Sequence, residues 1–93
     1  MGIELSSIVR QGSDPVCAEV DGEMVMMSIE KGNYYGLDGI GTRIWQLIAE
    51  PVSVSKLCEI LLTEFAVDRE TCEADVLKFL ARMEERNLIQ SGA

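Results

Sequence analysis

The chain has 93 residues, 47% apolar and 26% charged, the composition of one small folded domain with no room for a second core or for a deep enclosed active site. Sixteen acidic residues against eight basic ones give a net charge of −8 and a pI near 4.3, so the average field repels nucleic acid and anionic lipid. Histidine is absent, which removes the usual general base near neutral pH, the commonest zinc ligand and every His-dependent triad.

Residues 4–9 alternate too briefly to choose between an edge strand and a packed arm; residues 1–12 are read as that arm, 13–90 as the domain and 91–93 as a tail. Two β-rich runs follow, Val16 to Val20 and Glu23 to Ile29, joined by Asp21-Gly22, a dipeptide that tolerates the positive φ of a two-residue hairpin loop. In the second run, core packing is expected to take Val25, Met27 and Ile29 on one face. That leaves Met24 and Met26 on the other, either covered by a helix or forming an adaptable apolar surface. The turn cluster Glu30-Lys31-Gly32-Asn33 then leads into a third strand, Tyr34 to Leu37. Tyr35 shares a face with Leu37, which is expected to enter the core under Trp45, and Tyr34 then points outwards.

Asp38 is a good N-cap for a first helix, in which Ile40, Ile44, Trp45, Leu47 and Ile48 recur at helical spacing until Pro51. Ser53 caps a second helix whose apolar stripe runs from Val54 through Leu57, Cys58, Leu61 and Leu62 to its end near Phe65 and Ala66. Asp68 caps a third helix, Arg69 to Arg86, with Cys72, Val76, Leu80 and Met83 on one meridian. Phe79 sits on its shoulder beside Asp75, Arg82 and Arg86. Asn87 suits the C-cap, and Leu88-Ile89 can return to the core.

The fold class is therefore α+β: a three-stranded antiparallel sheet followed by three helices, in a winged helix-turn-helix outline. That outline commonly serves DNA, but the third helix carries Glu70, Glu73, Asp75, Glu84 and Glu85, a poor face for a polyanion, so nucleic acid is not expected as a partner. Cys17, Cys58 and Cys72 are odd in number and at least 14 positions apart. They encode neither a disulfide framework nor a metal knuckle and read as reduced, buried thiols. With no signal-peptide pattern and no run of 18 apolar residues, the expected location is the cytoplasm, with no membrane partner.

The stretch EKGNYYGLDGIGTRIWQLI, followed by SVSKLCEILLTEFAVD and CEADVLKFLARMEERNLI, resembles the PqqD-like family of leader-peptide recognition elements of ribosomal peptide (RiPP) biosynthesis, over about residues 16–90. The specific parts are the Tyr35-Gly36-Leu37-Asp38 turn into the first helix, Gly41 and Ile44-Trp45 within it, and Asp75-Val76 with Phe79-Leu80 in the third. The family more often shows Asn where this chain has Asp38, and both residues cap a helix. The resemblance implies a protein with no cofactor and no chemistry of its own, which captures the leader of a precursor peptide and presents the core to modifying enzymes. This version looks most like the free-standing members of lasso peptide pathways, where the further partner is a leader peptidase or another maturation enzyme; a monomer or weak dimer is expected. A related protein paired with a radical-SAM enzyme in quinone cofactor biosynthesis is the alternative.

The residues support the same mechanism by themselves. An edge strand has unpaired N–H and C=O groups to which an extended peptide can add, while side-chain pockets supply specificity. The candidate peptide-binding residues are Asn33, Tyr34, Tyr35 and Gly36 on the third strand, with Asp75, Val76, Phe79 and Arg82 on the third helix facing it, as the resemblance implies. A half-exposed Phe79 suits either a groove wall or a satisfied helix flank. Asp75 suits either the cleft or an ion pair with Lys78 or Arg82. An acidic groove rim would select Lys or Arg in a leader, or serve solubility alone. Rival classes are a DNA-binding winged helix, which this third helix argues against, and a substrate carrier, for which no attachment serine in a D-S-L turn is present.

Overall fold

The computed structural model describes residues 2–13, 15–21, 23–29 and 32–92. Six strands and three helices occur among them, in the order β1 (Ile8–Gln11), β2 (Pro15–Val20), β3 (Glu23–Ser28), β4 (Asn33–Leu37), α1 (Gly39–Leu47), β5 (Val52–Ser53), α2 (Val54–Glu64), α3 (Arg69–Glu85) and β6 (Ile89–Ser91). The architecture is α+β, with two three-stranded antiparallel sheets, β2-β3-β4 and β5-β1-β6.

The first sheet is the expected meander. Val20 pairs with Glu23 across a two-residue loop, and Asp21 at φ 53° takes the left-handed conformation that such a loop needs; Gly22 lies outside the described residues. Of the second turn cluster, Glu30 and Lys31 also lie outside them, while Gly32 sits at φ 70° and donates its N–H to the Ser28 carbonyl at 2.7 Å. Both β2 and β4 are edges of this sheet.

The face assignment of β3 is the reverse of the one expected. Met26 is opposite Tyr35 and Met24 opposite Leu37, so these methionines share the inward face with the residues that enter the core. Met26 is fully buried, while Ile29 is 64% exposed and Val25 and Met27 are only half-buried beside the exposed Tyr34. The cause is register: in a pleated pair the residues directly opposite point to the same side, and Leu37 fixes which side that is.

All three helix caps occur as expected. Asp38, Ser53 and Asp68 accept the backbone N–H groups of Gly41, Lys56 and Thr71 respectively. α1 stops at Leu47, four residues before Pro51, and α3 at Glu85. Asn87 follows at φ 59°, with its N–H on the Glu84 carbonyl at 3.0 Å and the Leu88 N–H on the Met83 carbonyl at 2.9 Å. This is a Schellman ending, and it turns Leu88 and Ile89 back into the core.

The second sheet uses three segments distant in sequence; the N-terminal one is the strand that residues 4–9 left open, displaced to Ile8–Gln11, and the other two were not expected as strands. β1 pairs with β5 through Val9 and Val52 and with β6 through Arg10 and Gln90. The N-terminal arm also satisfies helix ends: Gln11 donates its N–H to the Ile48 carbonyl and its side-chain amide to the Trp45 carbonyl, and the Val54 N–H reaches the Ser7 carbonyl at 2.9 Å. Fully buried Val9, Ile48, Val54, Leu57, Leu80 and Leu88 join the arm, the helices and β6 in one core.

Candidate functional site

β4 places its residues between an open edge and α3. Tyr35 is half-buried and Leu37 buried, whereas Asn33, Tyr34 and Gly36 are exposed. Behind the strand, a shallow cleft of about 330 Å³ is lined by Tyr34, Tyr35, Gly36 and Leu37 on one wall and by Phe79, Arg82, Met83 and Arg86 on the other. Phe79 and Arg82 also line a neighbouring hollow of about 240 Å³, which continues to Asp38, Ile40 and Gly41 at the start of α1 and to Asp75 and Lys78 on α3. α3 thus forms one continuous wall facing first the strand and then the α1 N-terminus.

The expected residues come together unequally. Tyr34, Tyr35, Gly36, Phe79 and Arg82 line the strand-facing cleft, and Asp75, Val76, Phe79 and Arg82 the hollow beside it. Val76 is 2% exposed and so contributes floor rather than an open contact. Asn33 lines neither hollow; it ends the strand, its side-chain amide 3.4 Å from the Tyr35 hydroxyl. Lys78, Arg86, Ile40 and Gly41 were not among the expected contacts. Arg86 lies four residues beyond Arg82 and seven beyond Phe79, a spacing that puts all three on one helix face. Ile40, 42% exposed, was hidden by counting it into the apolar stripe of α1.

The Arg86 guanidinium carbon lies 4.8 Å from the centroid of the Tyr35 ring, a cation–π contact worth about 0.5–1 kcal/mol at an exposed site, which ties the strand wall to the helix wall. Among the described residues the ion pairs are Arg43 with Glu64 at 2.8 Å and Arg69 with Glu73 at 3.6 Å. Asp75 pairs with neither Lys78 nor Arg82, so the cleft-facing alternative stands. Nor is the rim uniformly acidic: Asp38 and Asp75 lie at the α1 end, and Arg82 and Arg86 at the strand end.

The thiols lie apart from this cleft. Cys58 and Cys72 are buried in contact across α2 and α3, and burial, reinforced by the neighbouring thiol, pushes Cys58 up to about 12. Cys17 is exposed, contrary to expectation, because β2 is an edge strand. Partial burial still raises its pKa, partly offset by a hydrogen bond with the Trp45 side chain, whose indole can act only as the donor. Among the described residues no group of three or more His, Cys, Asp or Glu side chains is placed to hold a metal ion, and no helix is long and apolar enough to cross a membrane.

No curated protein sequence matches the chain. Among solved structures, TbiB1 in complex with the TbiA(beta) leader peptide is similar at 32% identity and a TM-score of 0.80, over 90% of this chain and 98% of that one. A lasso peptide synthetase B1 complexed with its leader peptide shares the fold at 22% identity and TM-score 0.78, over 88% of this chain and 96% of that one. So does the PqqD truncation of Methylobacterium extorquens PqqCD, described as a stand-alone RiPP recognition element, at 20% identity and TM-score 0.78, over 95% and 94% of the two chains. The family model for coenzyme PQQ synthesis protein D matches residues 23–89, and with the strand, the α1 turn and the α3 wall all inside that span, the chain belongs to the PqqD family.

Proposed function

We propose that the chain is a non-enzymatic recognition element that binds the leader of a ribosomally made precursor peptide, in a lasso peptide pathway, and presents the precursor to its modifying enzymes. The observation that carries this reading is an open strand edge, β4, backed by a cleft whose far wall is α3. The leader adds as a fourth strand, gaining affinity from main-chain hydrogen bonds and specificity from side chains that enter the cleft. The similarity to TbiB1, solved with a leader peptide, supports leader binding, and the shared fold of a lasso peptide synthetase B1 complexed with a leader peptide favours a lasso pathway over a quinone cofactor one. The acidic residues of α3 argue against DNA as the ligand of a winged helix-turn-helix outline, which remains our description of the helical half. Residues 13–90 are the recognition unit, a leader peptidase or other maturation enzyme is the further partner, and the protein acts in the cytoplasm as a monomer or weak dimer.

The test is calorimetric titration with the TbiA(beta) leader peptide, run on the chain and on proline variants of β4. A Kd between nanomolar and micromolar is expected, about −8 to −12 kcal/mol. N–H groups of successive residues point to opposite sides of a strand, so Tyr34 and Gly36 form one set and Asn33 and Tyr35 the other. Proline in the outward set abolishes binding and leaves the melting temperature nearly unchanged; in the inward set it breaks the ladder with β3 and lowers it. Binding that survives proline at all four positions means that the peptide docks elsewhere. Tight, steeply salt-dependent DNA binding without leader binding would overturn the reading.

A further inference from the structure

We propose that Arg82 and Arg86 make the strand end of the cleft selective for a carboxylate-bearing residue of the bound peptide, an inference that rests on the peptide-recognition reading above. In a chain of net charge −8, eight basic residues are outnumbered twofold, and two of them, Arg43 and Arg69, are paired with Glu64 and Glu73. Lys78, Arg82 and Arg86, at successive four-residue steps, instead form a row along the α3 wall. Lys78 shares its hollow with Asp38 and Asp75, which offset its charge. Arg82 and Arg86 face Tyr34, Tyr35, Gly36 and Leu37, and among the described residues no carboxylate lines that stretch.

The Arg86 guanidinium is already seated over the Tyr35 ring. Stacking uses its face and leaves its edge N–H donors for a planar acceptor, the geometry in which arginine holds a carboxylate by two parallel bonds. The rest of the acidic surface repels an acidic peptide residue, so this end of the cleft is the place where one is favoured.

Such a contact would do what strand addition alone does poorly, which is to fix register. Main-chain pairing is nearly the same at every register. A slip of one residue turns each side chain to the wrong face, but a slip of two restores the faces and is opposed only by side-chain fit. Two residues of strand span about 6.6 Å, enough to carry a carboxylate out of ion-pair range of a guanidinium.

The experiment is selection of a surface-displayed library of random peptides on the full chain. Enriched sequences are expected to carry Asp or Glu at one fixed position relative to their apolar anchors. In the double variant Arg82→Glu, Arg86→Glu the preference at that position should invert to Lys or Arg. Replacing the acid by Lys in one enriched peptide should weaken binding by about tenfold, with recovery on the double variant. The single variant Arg82→Glu, which keeps Arg86 on Tyr35, should erase the acid preference without inverting it, and serves as the readout should the double variant fold poorly. Enrichment without a charge preference, or with one that charge reversal does not move, overturns this inference and leaves peptide recognition standing. Absence of any enriched peptide overturns both.

Discussion

The Phe79 ring lies against Gly41: a methyl group added to that glycine would come within 3.3 Å of the ring carbon Cε1 and 3.1 Å of Asp38 Oδ1. Helix α1 thus comes close enough to α3 to set the position of an aromatic side chain that lines both parts of the cleft.

Gly41→Ala should therefore separate binding from stability. Alanine in place of glycine within a helix is worth about 0.5–1 kcal/mol in its favour, while the ring, towards the open cleft, and the exposed Asp38 carboxylate that caps α1 must each yield by a few tenths of an ångström. The expected outcome is a melting temperature that holds or rises and a several-fold loss of affinity for the TbiA(beta) leader peptide. Phe79→Asp should cost about 1–3 kcal/mol of binding without unfolding the domain. If both variants bind as tightly as the parent, the ring is no contact.

Gly12→Ala should act on stability alone. Its added carbon would meet the Leu88 carbonyl oxygen at 2.8 Å, and the same residue donates its N–H to that oxygen at 2.9 Å. The neighbour is backbone and cannot swing aside, so overpacking of about 1–3 kcal/mol is expected in chemical denaturation, with leader affinity unchanged.

Much of this was legible in the sequence, and the failures share a cause. Side chains that bond within three or four residues of their own position announced themselves: Asp38, Ser53 and Asp68 are all caps, and Asp21 and Asn87 both adopt positive φ. The inward face of β3 went wrong because it depends on which residue of β4 lies opposite, and Met24 to Met27 are apolar on both faces. The sheet β5-β1-β6 was invisible because β5 has two residues and β6 three, too short for alternation to register. Helix geometry puts Phe79 and Arg82 on one shoulder of α3 and the family resemblance turns that shoulder towards the strand, whereas Ile40 and Gly41 meet them only through the packing of α1 on α3.

Acid should erode the fold through two carboxylates. Hydrogen bonds from Thr71 hold the Asp68 carboxyl below its ordinary range, and the Arg43 side chain does the same for Glu64. A carboxyl whose pKa is lowered by folding stabilises fully above its unfolded value and loses that contribution as the pH falls through the folded one. With reference values of 3.8 for Asp68 and 4.5 for Glu64, the loss begins near those values and continues below them. Asp68→Asn, which can still cap α3 but does not titrate, should flatten the lower part of an acid denaturation curve; an unchanged curve would remove Asp68 from this role.

Alkylation should sort the cysteines. At neutral pH the native protein is expected to take up one iodoacetamide label, on Cys17, because Cys58 and Cys72 are buried and Cys58 is kept protonated. Three labels should appear in denaturant, counted by mass spectrometry. Native labelling of Cys72 ahead of Cys17 would mean that α2 and α3 part more readily than their packing implies.

The two sheets differ sharply in how far along the chain their partners lie. The meander β2-β3-β4 pairs residues no more than 13 positions apart, from Val20 with Glu23 to Met24 with Leu37, whereas Val9 meets Ser91 across 82. Closing the longer loop costs more chain entropy, and contacts of that span slow folding. During synthesis the meander and its edge can form while β6 is still unmade. The β1–β6 pairing is expected to form late and its closure to set the folding rate, so substitutions there should change that rate while leaving local pairing in the hairpins intact.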